Sequence, residues 1–535
     1  MKEKEMMLGE PIRDLCQLPV SRRLILGLQH CFAMFGATIL VPLLTGLSIS
    51  TTLLFAGLGT LLFHLVTGGK IPAFLGSSFA FLGGYAMVAP MGADGRADPA
   101  ALAKAGGGII VAGLVYLVLA GLIKIFGVRR VMRFFPPVVT GPIIISIGLI
   151  LAPTAIASAS QDWLLALIAL TTIIVCNIWA RGMLKIIPIL MGLLVSYVVA
   201  LFLARVDFSS VQSLIASGRW LEIPLQRESF ATFDRGAILT IAPIALATIM
   251  EHIGDISAIS ATTGVNYIAK PGLHRTLAGD GLATIFAAAF GAPANTTYGE
   301  NTGVLVLTKV YDAKVTRIAA FFAIALSFFP ILSEAIRTMP TAIIGGVSLI
   351  LYGMISAIGL RNVVENNVDF TKSRNLIVAA AILVCALGFK SGISLGPITL
   401  SGIAIAALVG IFLNAVLPGK DYEFNVDDPK STGVNFSGTD TTYYGHTPHY
   451  DLSEEEALLA GAKLLNEEDG ALRTSLKQQI RELIHEELDR TIHEDLSQKV
   501  KDEINYDLYH QLKREISTSL NEKLQDAENI PEDQV

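Results

Sequence analysis

Residues 291–303 read Gly-Ala-Pro-Ala-Asn-Thr-Thr-Tyr-Gly-Glu-Asn-Thr-Gly, and residues 72–85 read Pro-Ala-Phe-Leu-Gly-Ser-Ser-Phe-Ala-Phe-Leu-Gly-Gly-Tyr. Each stretch lies in apolar surroundings, yet Gly and Pro break it and small polar residues fill it, so neither makes a good continuous helix. Irregular backbone at membrane depth is tolerated only where protein or a polar cavity receives its unpaired N–H and C=O groups. Such groups can bind a ligand, and the later stretch also carries an acid, Glu300. The plainer alternative is a kinked or re-entrant helix whose glycines only allow close packing.

The surroundings are those of a membrane protein. Of 535 residues, 52% are hydrophobic and 16% charged, whereas an ordinary soluble domain carries about 25% charged residues. Up to Pro418 there are 28 Lys and Arg against 19 Asp and Glu; beyond it there are 12 against 27. The chain is thus a hydrophobic body followed by an acidic tail. The first apolar run, from Leu24, is too long for a signal peptide's core and lacks a convincing cleavage site, so the first span is expected to be retained. The four cysteines are scattered and read as small buried hydrophobes, not as a metal or redox site.

A bilayer core of about 30 Å takes roughly 20 apolar residues per helix. On that measure fourteen spans start near Leu24, Thr51, Ile71, Gly108, Pro137, Trp163, Met183, Ala237, Leu277, Ala294, Thr316, Thr341, Leu376 and Ile398, the last ending near Pro418. With the N-terminus inside, fifteen Lys and Arg fall in cytoplasmic loops and eight opposite, four of the eight being Arg205, Arg219, Arg227 and Arg235. That bias predicts a multi-pass cell-membrane protein with both termini cytoplasmic. Fourteen spans divide into seven and seven, and since seven is odd the second half would be inverted, the plan of secondary transporters. The broken stretches are then the third spans of the two halves, which favours a binding site over mere packing.

Ionisable groups inside spans default to functional hypotheses. Glu251, His252 and Asp255 lie in the eighth span, Asp280 in the ninth, Glu300 in the tenth, and His30 and His64 in the first two. Four residues apart on a helix, Glu251 and Asp255 share a face, and His252 points elsewhere. A carboxylate here suits acceptance of N–H groups from a neutral polar solute, or alternation between protonated and ionised forms. Glu251 and Glu300 are the preferred candidates. Asp255 and Asp280 could equally be helix-terminal ties, and the histidines packing residues that bond a neighbouring helix. No metal or cofactor motif is present.

Several of these stretches also resemble a known family. Gln29-His-Cys-Phe-Ala-Met-Phe-Gly36, Glu251-His-Ile-Gly-Asp255, Pro271-Gly-Leu-His-Arg275, Asn295-Thr-Thr-Tyr-Gly-Glu-Asn301 and Gly345-Gly-Val-Ser-Leu-Ile-Leu-Tyr352 are similar to motifs of the uracil/xanthine permeases of the nucleobase/ascorbate transporter family, over roughly Arg22 to Pro418. The Asn295–Asn301 stretch resembles the uracil branch. The resemblance implies an all-α polytopic fold with a core domain of spans one to four and eight to eleven, a gate domain of spans five to seven and twelve to fourteen, and short extended segments in spans three and ten. It implies a nucleobase seated between those segments and the eighth span: Glu251 and Glu300 would accept ring N–H groups, backbone around Phe79 and Gly299 would bond carbonyls, and Tyr352 would line the pocket. Phe79, Tyr298 and Tyr352 are also candidates to stack on or edge the ring. Proton-coupled uracil carriers of the family often have a histidine where this chain has Asp255, a departure from the pattern whose extra acid could serve protons or help hold Na⁺; coupling through Glu251, Asp255 and Glu300 is expected to be to protons, with Na⁺ the alternative. A homodimer or higher oligomer is expected as well.

The expected domains are a cytoplasmic N-terminus (1–23), a transporter domain (24–418), a Gly/Thr/Tyr/Asp-rich linker (419–451) and an acidic helical cytoplasmic tail (452–535). In the tail, Leu, Ile and Val recur every four residues from Leu472 to Leu524. A step of four drifts about 40° on a helix, so a long straight heptad coil is not expected; self-association or docking to a cytosolic partner is. Its excess of acids argues against nucleic acid and anionic lipid. A membrane enzyme lacks its motifs, since neither His-Glu-x-x-His nor Gly-x-Ser-x-Gly occurs. An anion carrier of the sulfate-permease type would not need two site acids, and a purine carrier would differ by competition with xanthine.

Overall fold

Helix boundaries follow the capping chemistry of the sequence. The computed structural model describes residues 11–92, 97–389, 392–395 and 398–419. The acidic tail and all of the linker beyond Gly419 lie outside the described residues. The principal elements are α1 (Val20–Thr45), α2 (Ile49–Val66), β1 (Leu75–Ser77), α3 (Leu82–Val88), α4 (Pro99–Phe126), α5 (Pro137–Ala159), α6 (Trp163–Ile178), α7 (Pro188–Phe202), α8 (Ala245–Thr263), α9 (Leu273–Ala289), β2 (Asn295–Thr297), α10 (Gly299–Thr308), α11 (Lys314–Ser327), α12 (Thr341–Glu365), α13 (Ser373–Gly388) and α14 (Gly402–Val416). Ser48, Asp98, Asp162 and Ser401 cap α2, α4, α6 and α14, each accepting a first-turn N–H. Pro99, Pro137 and Pro188 occupy first helical positions, where a missing N–H costs nothing. Gly46 and Gly264 end α1 and α8 in the left-handed conformation.

The protein is mostly helical, with many apolar helices of membrane type. Among the described residues six helices are long and apolar enough to cross a bilayer: α1, α2, α4, α5, α12 and the continuous run Arg235–Thr263 that ends in α8. A seventh results if α11 and the helix Pro330–Arg337, bent by 81°, count as one. The remaining apolar helices α6, α7, α13 and α14 have 15 or 16 residues, a rise of about 24 Å at 1.5 Å per residue. Composition alone therefore overcounts full-length helices, because some apolar runs fold as short helices and two fold as strand plus half-helix.

Those two are the quoted stretches. Strands β1 and β2 pair antiparallel, with Leu75 opposite Thr297, Gly76 opposite Thr296 and Ser77 opposite Asn295. Each strand leads into a short helix, α3 or α10, so two broken segments meet where their backbones exchange hydrogen bonds. Flanking helices secure the crossing. Thr60 of α2 accepts the Leu75 N–H at 2.9 Å, Ser77 Oγ donates to the Thr38 carbonyl of α1 at 2.8 Å, Asn295 Nδ2 donates to the Phe55 carbonyl of α2 at 3.0 Å, and Thr284 of α9 donates to the Asn295 carbonyl at 2.9 Å. Hydroxyls on the flanking helices thus satisfy the irregular backbone, and the small polar side chains of the broken stretches tie it in return to helix carbonyls. Gly76 is required sterically: a Cβ there would lie 2.4 Å from Tyr298 Cζ.

Around the crossing, α4 packs on α9, α2 on α11, α5 on α12, α6 on α7 and α13 on α14. The core is continuous through these contacts and includes Phe74, Leu75, Phe79, Tyr298 and Tyr352. Exposed large apolar residues such as Val118, Ile125, Val384 and Phe412 lie on the outer helices, as expected of surface that faces lipid.

Candidate functional site

The eighth expected span brings its acids to the crossing. Helix α8 packs against both β2 and α10. Glu251 is half-buried on it and Asp255, one turn on, is 8% exposed. Asp255 Oδ2 accepts a hydrogen bond from Thr297 Oγ1 at 3.0 Å, and its Oδ1 lies 3.8 Å from the point a Cβ on Gly299 would occupy. Glu300, half-buried, is the second residue of α10. Glu251 lies within range of the charges of Asp280 and Glu300, and Asp255 within range of those of Glu251, Glu300 and Asp280. The structure therefore brings Glu251, Asp255, Gly299 and Glu300 together at one place.

Helix α10 starts without a side-chain cap, Tyr298 preceding it in extended conformation. Its first N–H groups have no intrahelical partner, and the Glu300 carboxylate takes up its own backbone N–H. At this one locus, then, carboxylates can accept N–H groups and a helix N-terminus can donate to carbonyls. Glu251, Gly299 and Glu300 keep partial access in an otherwise buried neighbourhood.

The other expected residues fall as follows. Phe79 is 7% exposed in the turn between β1 and α3, its carbonyl accepting the Leu82 N–H at 3.1 Å, and the adjacent Ser78 N–H donates to the Ala294 carbonyl at 2.8 Å. Tyr298 is 4% exposed and its hydroxyl donates to the Ser77 carbonyl at 2.8 Å, so it braces the crossing. Tyr352 is buried in α12, its carbonyl packed against Gly148 of α5. The histidines all contact neighbouring elements: His30 with Asn301, His64 with the Ala73 carbonyl, and His252 with Asp280. Two cavities, of about 430 and 190 Å³, lie elsewhere; the larger is bordered by Ser48, Glu222 and Arg337, the smaller by Arg133, Lys372 and Arg374. None of the expected site residues lines either. Among the described residues no three His, Cys, Asp or Glu side chains form a metal-holding group.

Sequence reasoning missed Thr297. Its hydroxyl reaches both Asp255 and, at 3.5 Å, His252 Nδ1, and the only sign of this in the sequence was its position beside Tyr298 in a segment expected to be extended.

The profile described as "Permease family" matches residues 21–395. The uracil permease of Bacillus caldolyticus is 42% identical over 427 residues, covering 77% of this chain and 96% of that protein. The uracil permease of Bacillus subtilis is 40% identical over 436 residues (78% and 97%), and that of Escherichia coli K12 is 39% identical over 410 (74% and 92%). These relatives are named as permeases, transporters and not enzymes. Among solved structures, the transmembrane domain of a cyanobacterial bicarbonate transporter, BicA, aligns with a TM-score of 0.51 at 15% identity, covering 72% of this chain and 96% of that one. The murine anion transporter Slc26a9 in its inward-facing state aligns at 0.51 and 12% identity, covering 75% and 69%. At such identities the likeness is one of fold alone. With residues 21–395 matched and about two-fifths of its positions identical to uracil permeases over nearly their full length, the chain belongs to the nucleobase/ascorbate transporter family, the permeases whose motifs its sequence carries.

Proposed function

We propose that the protein is a secondary active symporter that imports uracil, or a closely related nucleobase, together with protons. The observation that carries the reading is the meeting of Glu251 and Glu300, both half-buried, at the crossing of two broken spans, in a chain whose relatives are named uracil permeases. Uracil is a flat ring with two N–H donors and two carbonyl acceptors. Glu251 and Glu300 accept from the ring N–H groups, and backbone N–H groups around Phe79 and Gly299 donate to the carbonyls. Phe79 and Tyr352 border the ring, and Tyr298 holds the crossing beneath it.

A fourteen-span body of two inverted sevens completes the reading. The packing pattern supports it, since advancing each partner by seven, with wrap-around, turns the pair α4–α9 into α11–α2 and α6–α7 into α13–α14, and leaves α5–α12 and β1–β2 as self-related pairs. The same contacts support a core of α1–α4 with α8–α11 and a gate of α5–α7 with α12–α14. Protonation of Glu251, Asp255 or Glu300 lowers the cost of carrying the site through an apolar barrier, and bound uracil completes its hydrogen bonds so that core and gate can rock. Both termini are cytoplasmic, and the protein works as a homodimer or higher oligomer in the cell membrane, with the acidic tail self-associating or docking to a cytosolic partner. The anion-transporter neighbours share the fold, but two acids at the site disfavour an anionic cargo. Labelled uracil uptake into vesicles by Glu251→Gln and Glu300→Gln, with pH and Na⁺ gradients imposed separately, tests this. The reading expects each variant to lose concentrative uptake and the pH gradient alone to drive the wild type; near-normal concentrative uptake by both variants refutes the site.

A further inference from the structure

Behind Asp255 lies a second, wholly buried polar group that the transport reading does not use. His252 and Asp280 both have no exposed side-chain surface, and His252 Nδ1 sits 3.1 Å from Asp280 Oδ2. Thr297 Oγ1 lies 3.5 Å from the same nitrogen and donates at 3.0 Å to Asp255 Oδ2. His252 Nε2 and both carboxylate oxygens of Asp280 have no hydrogen-bond partner, so Asp280 meets His252 Nδ1 through proximity of charge and not through an aligned hydrogen bond. Four side chains from α8, β2 and α9 thus form one line, Asp280, His252, Thr297, Asp255, running from the back of the core to the start of α10.

The line has a direction. A hydroxyl has one proton, and Thr297 gives its own to Asp255, so it faces His252 with a lone pair. Asp280 faces the same nitrogen with a carboxylate oxygen. A proton on Nδ1 suits both neighbouring oxygens, and Nε2, the nitrogen without a partner, is then left with the lone pair. With Nδ1–H in place the Thr297 hydroxyl cannot turn back, because His252 offers it no acceptor. Asp255 is left with a fixed donor on one oxygen and the N-terminus of α10 near the other.

We propose that His252 and Thr297 are positioning residues: with the Asp280 carboxylate 3.1 Å from Nδ1 favouring the Nδ1–H tautomer, His252 orients the Thr297 hydroxyl so that Asp255 is kept as a hydrogen-bond acceptor beside Gly299. The proposal rests on the transport reading for its consequence, since Asp255 would be one of the groups that exchange the coupled proton. Asp255 is also faced by Glu251 on its own helix, Glu300 on α10, Asp280 on α9 and Tyr116 on α4. The line sets the bias of one member of that set, and it gives a role to a histidine and an acid that otherwise sit buried without contact to the pocket.

Two measurements on the full-length protein in lipid vesicles test it. The first is the nitrogen spectrum of ¹⁵N-histidine-labelled protein, with the His252 signals identified by their loss in His252→Gln. At neutral pH a protonated Nδ1 and bare Nε2 are expected, and an Nε2–H tautomer at His252 overturns the proposal. The second is the pH profile of uracil uptake in Thr297→Ser and Thr297→Val. Serine keeps the donor and should keep the wild-type midpoint. Valine removes a hydrogen bond to the ionised carboxylate and should move the midpoint to higher pH by about one unit. Equal behaviour of the two variants, whether both normal or both equally impaired, assigns Thr297 to packing and overturns the proposal. Should Thr297→Val not fold, the wild-type spectrum decides alone. A wild type that takes up no uracil defeats the transport reading instead, and the spectrum still reports on the line.

Discussion

The crossing of β1 and β2 makes a steep prediction at Gly76. A methyl group there would stand 2.4 Å from Tyr298 Cζ, 2.5 Å from Cε2 and 2.8 Å from Thr38 Oγ1, all well inside van der Waals contact. The ring has little room to yield, because its hydroxyl is bonded to the Ser77 carbonyl at 2.8 Å and its backbone N–H to the Phe74 carbonyl at 3.0 Å. Overpacking of a filled site costs roughly 1–3 kcal/mol, and displacing the hydroxyl from a buried carbonyl adds about 1 kcal/mol. Gly76→Ala should therefore lower stability by about 2–4 kcal/mol and pull β1 away from β2. The assay is thermal unfolding of the purified protein, followed by uracil uptake at a temperature where the variant stays folded. Tyr298→Ala should relieve much of the Gly76→Ala penalty in the double variant, since the clash is with the ring, giving a large positive coupling. Wild-type stability and uptake in Gly76→Ala, or strictly additive effects in the double variant, would refute the reasoning.

Further predictions concern single contacts. Tyr298→Phe leaves the Ser77 carbonyl without its hydroxyl donor and should cost about 1–3 kcal/mol, read as a lower unfolding temperature. Asn301→Ala removes the donor to the His30 carbonyl, 3.0 Å away, with a similar loss expected of about 1–3 kcal/mol by the same measurement. At the N-terminal tether, outside the spans, the Cys16 N–H and then the Lys314 ammonium hold the Asp14 carboxyl down at about 2 from its usual 3.8, and Asp14 raises Lys314 above its usual 10.5. A lowered carboxylate stabilises above its ordinary value and loses that contribution as pH falls toward its folded one; a raised ammonium stabilises below its ordinary value and loses it as pH rises further. The tether is thus intact across neutral pH, and Asp14→Asn should leave the shape of the uptake profile between about pH 5 and 8 unchanged.

The two broken stretches were legible in the sequence because the feature that disqualifies residues 72–85 and 291–303 as helices, small polar residues among Gly and Pro, is what lets the strands pair and tie to helix carbonyls. Helical spacing sufficed to place Glu251 and Asp255 on one side of α8, and the interruption of the tenth span to place Glu300 near a helix start. Long-range partners were not legible. Nothing local links Asp280 to His252, 28 positions earlier, or Thr297 to both, since that line forms only when α8, α9 and β2 pack. Nor was the bond of the Tyr298 hydroxyl to the Ser77 carbonyl legible, since an aromatic residue in such a segment fits a brace and a pocket wall equally well. Helix length was not legible either: apolar composition is shared by helices of 15 residues such as α7 and of 28 such as α4.

The central claim is that two carboxylates accept the ring N–H groups of a neutral nucleobase, and methylated uracils test it most directly. Binding of uracil, 1-methyluracil and 3-methyluracil to the purified protein should show each methyl group weakening affinity by about 10- to 100-fold, the loss of a charge-assisted hydrogen bond worth about 1.5–3 kcal/mol. Glu251→Gln and Glu300→Gln should each become less sensitive to methylation at one ring nitrogen. Equal affinity of wild-type protein for uracil and both methylated forms would contradict the account.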